Sequence, residues 1–159
     1  MDLSRARAWP KGHYFEDFEV GARFEHHWGR TVAESDTLLF TTLTLAYNPL
    51  YFNRELARAA GHPDLVVNPM LVFGVVFGLS VEDLSEKGGL FLGLDRLTFH
   101  RDVYPGDTLT ARSEVVSVRQ SESRPDHGVV SWHTEGCDQE GRMVIDFTRT
   151  NLVVRRPSI

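Results

Sequence analysis

One cysteine, Cys137, is all the chain has. A lone thiol can close no intrachain disulfide and build no cysteine-based zinc site, so a buried and inert state is expected for it. An excess of positive charge is lacking as well. With 17 Lys and Arg against 22 Asp and Glu, a net charge of −5 and a pI near 5.8, the chain does not suit a general binder of nucleic acid; only a local basic pocket stays open. There is no internal repeat and no low-complexity segment. The first residues, Met1 to Lys11, carry charges and Trp9 but no apolar signal core. They point neither to secretion nor to a membrane partner, and a soluble, cytoplasmic protein is expected. The most apolar stretch, Met70 to Val81, is far short of the roughly 20 residues that span a bilayer. What remains is a chain of 159 residues with 42% apolar side chains, enough for one domain over 1–159 with a real core. Residues 1–13 read as an N-terminal extension free to flex.

The organising stretch is Asn68-Pro69-Met70-Leu71-Val72-Phe73-Gly74-Val75-Val76-Phe77-Gly78-Leu79-Ser80-Val81. Apolar residues fall on every side of a helix drawn through it, which predicts a buried helix. Its valines would also suit a strand, so the flanks decide. Asn68 can cap a helix, Pro69 at the first position loses no needed N–H, and Lys87-Gly88-Gly89 supplies a stop. A helix over Pro69–Leu84 follows. Gly74 and Gly78, four apart, each weaken it by about 1 kcal/mol relative to alanine, which suggests a packing reason.

Ahead of this helix, Tyr14 to Gly21 reads as an aromatic-anchored loop and Arg23 to Val32 as a strand. His26-His27 invites a metal reading, but neighbours on a strand point to opposite faces and cannot easily share one ion. Ser35 or Asp36 can cap a helix from Thr37 with Leu38, Leu39, Leu43 and Leu45 on or near its apolar face. Asp36 is open to a catalytic reading too. That helix yields at Asn48-Pro49, because the residue before proline avoids helical geometry, and a short helix follows from Arg54 to Ala60. Beyond Gly89, the segments Phe91–Arg101, Thr108–Arg119, Val129–Cys137 and Met143–Val154 read as strands separated by turn signals. Their meander predicts an antiparallel sheet with the buried helix as its cover. His100 and His133 lie in strand patterns, where packed or surface histidines are commoner than ligands.

Three stretches carry a family resemblance: Asn48-Pro49-Leu50, Gly61-x-Pro63, and Tyr104-Pro105-Gly106-Asp107-Thr108-Leu109. In this order and spacing, from Tyr14 to Arg155, the chain resembles the MaoC-like hydratases and dehydratases. It looks closest to their itaconyl-CoA and mesaconyl-CoA hydratase branch, with Val67-Asn68 in place of the more usual His-Gly and a similar turn at Glu122-Ser123-Arg124-Pro125. The resemblance implies an α+β hot-dog fold, an antiparallel sheet wrapped around a long central helix. It also implies assembly into a homodimer or higher oligomer. The implied chemistry is reversible addition of water to a 2-enoyl thioester, with coenzyme A as part of the substrate and no other cofactor or metal.

In that family an Asp and a His flank Asn-Pro as Asp-x-Asn-Pro-x-His and manage the water. Backbone N–H groups at the start of the central helix polarise the thioester carbonyl. Here the pattern reads Ala46-Tyr47-Asn48-Pro49-Leu50-Tyr51, with Ala46 at the aspartate position and Tyr51 at the histidine position. The resemblance therefore implies Tyr51 and Asn48 as candidate catalytic groups, and Asn68, Pro69 and Met70 at the helix entry with Arg124 as candidate substrate contacts. Each has a plainer reading: Tyr51 fills space, Asn48 and Asn68 cap, and Arg124 is a solvated turn residue. Three functions are open. One is a hydratase or dehydratase with relocated groups. Another is a silent acyl-CoA-binding protein or subunit, and the last is a thioesterase using a carboxylate near the helix entry, with Asp64 nearest in sequence.

Overall fold

The computed structural model describes residues 11–157. Residues 1–10 of the expected extension lie outside them; Lys11 pairs with Glu82, and the His13 ring packs between Phe18 and Phe24. In chain order come β1 (Arg23–Glu25), β2 (Arg30–Thr31), α1 (Glu34–Thr44), α2 (Arg54–Ala59), α3 (Pro69–Leu79), α4 (Val81–Leu84), β3 (Leu90–Phe99), β4 (Thr108–Gln120), β5 (His127–Cys137) and β6 (Met143–Val154). The strands form one antiparallel sheet in the order β1-β4-β5-β6-β3, with β2 pairing the start of β4. The sheet curls around α3. Val72, Val75 and Val76 of the helix bury against Leu109 and Ala111 of β4 and Val144, Ile145 and Phe147 of β6. This is the expected hot-dog arrangement, and no helix among the described residues is long and apolar enough to cross a membrane.

Several elements differ from the expected ones. The segment Arg23 to Val32 is two short strands, because the chain leaves the sheet around His26–Gly29. His26 turns inward and is buried while His27 stays half exposed. The central helix ends at Leu79 and resumes as α4. Between them the buried Ser80 donates its hydroxyl to the Phe77 carbonyl at 2.7 Å, and its own carbonyl accepts from Arg149 Nη2 at 3.3 Å. None of the described residues approaches the faces of Gly74 and Gly78, so no close packing among them accounts for these glycines.

The expected inner face of α1 is reversed. Leu39, Leu43 and Leu45 are well exposed, Leu43 by 73%, while Thr37 and Thr41 are buried. The leucine and threonine stripes lie on opposite sides of this helix. Its entry from Val32, buried in the core, and its exit into Asn48-Pro49 determine which stripe faces in. α1 starts at Glu34, so Asp36 sits in its first turn and accepts the Ala33 N–H at 3.0 Å. That bond holds the Asp36 carboxyl below its ordinary range, and Arg30 at 3.0 Å assists. Asp36 is a capping group, not a free acid.

Candidate active site

The residues around Asn48 form a turn built by its own side chain. After α1, Leu45 adopts the left-handed conformation (φ 58°) that ends the helix, and Asn48 Oδ1 accepts the Leu50 N–H at 3.1 Å. Pro49–Tyr51 is thereby wound into a single 3-10 turn. Asn53 repeats the device, accepting Leu56 N–H at 3.1 Å to start α2. The turn is then latched to the entry of the central helix, where Val66 N–H donates to the Leu50 carbonyl at 2.9 Å. Val67 N–H donates to the Val103 carbonyl at 2.8 Å from the other side. Fold and sequence thus bring Ala46, Asn48 and Tyr51 to the same end of the molecule as Asn68, Pro69 and Met70. Ala46 and Tyr51 are half buried; Asn48 and Met70 are exposed.

Asn68 is the most enclosed of the set, 5% exposed. Its Oδ1 accepts the Met70 N–H at 2.9 Å, and its backbone carbonyl accepts Leu71 N–H at 2.9 Å and Val72 N–H at 3.1 Å. Pro69 has no N–H. Every amide of the first helical turn is therefore absent or engaged, and the expected backbone donors are not free. The dipole of α3 still favours developing negative charge there.

Arg124 is not brought to this group within one chain. It lies in the β4–β5 turn, and β4 spans about 35 Å from Leu109 to Gln120 at roughly 3.3 Å per residue. Leu109 shares the core cluster of Val67 and Val72, so the turn sits at the far end of the sheet. Asp64 is near the entry but committed. Arg54 Nε reaches it at 2.6 Å and Leu65 N–H at 2.7 Å, and these bonds hold its carboxyl below the ordinary range.

The structure adds residues that sequence reading did not place here. A recess beside the helix entry is lined by Val67, Pro69, Val72, Phe99 and Val103, with His100, Arg101 and Asp102 at its rim. Asp102 lies 3.6 Å from His62 Nδ1, which also meets the Tyr104 hydroxyl at 3.2 Å. Burial and the neighbouring Asp102 push the Tyr104 phenol up. In the sequence the Tyr104-Pro105-Gly106-Asp107 stretch is a turn signal and a carrier of the family resemblance, not a site residue; the backbone bond at Val103 makes it a neighbour of the site.

This arrangement matches a known sequence pattern from end to end: the profile of the mesaconyl-CoA hydratase family aligns with residues 1–159. The chain belongs to that family. A mesaconyl-CoA hydratase from Haloarcula marismortui is 40% identical over 155 residues, 97% of this chain and 43% of the relative. A β-methylmalyl-CoA dehydratase from Chloroflexus aurantiacus is 34% identical over 145 residues, covering 91% of this chain and 41% of the relative. Among solved structures, a conserved Mycobacterium tuberculosis protein with a double hot-dog fold superposes with a TM-score of 0.79 at 28% identity, over 93% of this chain and 46% of that one. This member of the mesaconyl-CoA hydratase family thus spans less than half the length of these curated relatives.

Proposed function

We propose that the chain is a hot-dog unit of an acyl-CoA hydratase or dehydratase, adding or removing water at the C2=C3 bond of a 2-enoyl-CoA with a short or branched acyl group. The observation that carries this reading is the family match along residues 1–159, and the geometry fits it: the Asn48–Tyr51 turn is tied to the entry of α3 by the Val66–Leu50 bond. A thioester carbonyl at that entry meets the positive end of the helix dipole. Asn48 and the Tyr51 hydroxyl are the polar groups that flank the acyl chain, with Pro69 and Met70 as its wall. The Tyr51 hydroxyl serves there as a hydrogen-bond donor. Coenzyme A enters as part of the substrate, and no metal or other cofactor is required. The exposed outer edge of β3 suits pairing with a second hot-dog unit, in a cytoplasmic homodimer or higher oligomer.

A second reading is favoured by one specific observation. Positions 46 and 51 hold no carboxylate and no imidazole, which suits a silent acyl-CoA-binding unit working beside an active one. The thioesterase reading loses its nearest carboxylate, because Asp64 is held by Arg54. Calorimetry with coenzyme A and its crotonyl, mesaconyl and itaconyl thioesters separates these. Binding with loss of enoyl absorbance and no free thiol supports the hydratase. Binding without turnover selects the silent unit, thiol release the thioesterase, and no binding to any of the panel sinks all three.

A further inference from the structure

We infer that the side-chain amide of Asn68, not a backbone amide of the central helix, is the donor that polarises the thioester carbonyl. The inference rests on the acyl-CoA reading above and assigns the group that makes it work. Pro69 lacks an N–H, Met70 N–H is bound to Asn68 Oδ1, and Leu71 and Val72 N–H share the Asn68 carbonyl. Within the first turn of α3, from Pro69 to Val72, no backbone N–H is spare.

The same bonds fix the orientation of the Asn68 amide. Met70 N–H needs an acceptor, and within that amide only the oxygen can accept, so Oδ1 faces the helix and Nδ2 faces away from it. Asn68 is about nineteen-twentieths buried, yet no acceptor among the described residues bonds its Nδ2, and that atom is not among those sealed in the core. The chain neighbours of Asn68, Val67 and Pro69, line a recess of mixed character, shared with Val72, Phe99, Val103 and the polar His100, Arg101 and Asp102. A rigidly held N–H donor at the positive end of a helix is suited to an oxygen that gains charge. Preorganisation makes such a donor worth about 10²–10³ in rate. As the water oxygen bonds to C3 and releases one of its protons to solvent, the C2=C3 electrons move onto the thioester as an enolate, which later takes up one proton at C2. Asn68 Nδ2 donates a hydrogen bond to that oxygen without giving up its proton, and protonation at C2 completes the addition.

Asn68→Asp tests this, because it keeps an oxygen for Met70 N–H and removes the donor. Asn68→Ser is a neutral companion with a capping hydroxyl on a shorter arm. The readout is the infrared stretch of crotonyl-CoA labelled with carbon-13 at the thioester carbonyl. Bound to the unaltered protein, the band should fall below its position in buffer; bound to either variant, it should return toward that position. Free coenzyme A, which has no acyl carbonyl, should bind all three proteins within a few-fold. Where hydration is measurable, kcat should fall about 10²-fold or more in Asn68→Asp, with KM little changed. An unshifted band for thioester bound to the unaltered protein overturns the assignment alone, as does a shift that survives both substitutions. No binding of crotonyl-CoA to the unaltered protein overturns the acyl-CoA reading and the assignment with it.

Discussion

The resemblance implies an acid–base pair at the positions of Ala46 and Tyr51, and the backbone turn between them is well formed. Asn48 still builds the 3-10 turn and Leu50 still receives the Val66 N–H. Ala46→Asp combined with Tyr51→His is therefore expected to create or raise hydration of crotonyl-CoA, followed by loss of enoyl absorbance. Each single change should do much less, since groups that act on one water are not additive. A folded double variant that binds crotonyl-CoA and stays inactive would assign the chain to the silent reading. A second residue with a sharp expectation is Gly136. A Cβ built there lies 2.6 Å from Val76 Cγ2 and 2.7 Å from Ile145 Cγ2, under the central helix. Gly136→Ala should cost about 1–3 kcal/mol of overpacking, read as a lower urea midpoint.

The central helix and its continuation carry two further expectations. Val76 is fully buried, so Val76→Asp places an unpaired charge in the core and should yield no soluble folded protein. Phe77, one residue on, differs. The Arg149 guanidinium lies 4.6 Å over its ring, is fully buried, and has no carboxylate partner among the described residues. Desolvation alone brings the pKa of Arg149 down to about 10. An aspartate at position 77 acquires a cation, so Phe77→Asp should melt well above any folded fraction of Val76→Asp. The α4 element is held by a polar chain. His26 Nδ1–H donates to Asp83 Oδ2 at 2.6 Å, and His26 Nε2 meets the Ser113 hydroxyl at 2.9 Å, which meets Thr134 Oγ1 at 2.8 Å. Burial lowers the His26 pKa below 6.5, against the opposing pull of Asp83. The unfolded chain then binds the proton first. This contribution to stability is full above about pH 6.5 and is lost as pH falls toward the folded value. Urea midpoints from pH 8 to 5 should decline on that limb, and His26→Gln should flatten it.

At the scale of the whole molecule, the sheet has one unprotected side. Among the described residues β3 pairs only with β6, and Leu90, Phe91, Leu92 and Phe99 on it are exposed. Left open, such an edge invites aggregation. Pairing with a second unit predicts a dimer or larger species in sedimentation at micromolar concentration, and Leu92→Lys should shift the distribution toward monomer. A single monomeric species for the unaltered chain would remove the expectation.

The central helix, the four long strands and the family were legible in the residues themselves, because they rest on local signals: an Asn-Pro start, an apolar run with no polar face, alternating β-branched segments between turns. Ala46 and Tyr51, at the positions where the resemblance implies an Asp and a His, were equally easy to locate, since they flank an Asn-Pro marker two residues away at most. Tertiary structure decided the rest. The leucine face of α1 was visible in the sequence and expected to point inward, but which face meets the core depends on where the chain enters and leaves the helix. The break at Ser80 depends on Arg149, 69 residues away. The placement of Arg124 depends on the length and direction of β4. Most of all, the state of the amides at the start of α3 is a matter of hydrogen-bond geometry. A sequence names Asn68 and Pro69 there, and only the fold shows that the amides of Met70, Leu71 and Val72 are engaged and that Asn68 Nδ2 has no acceptor among the described residues.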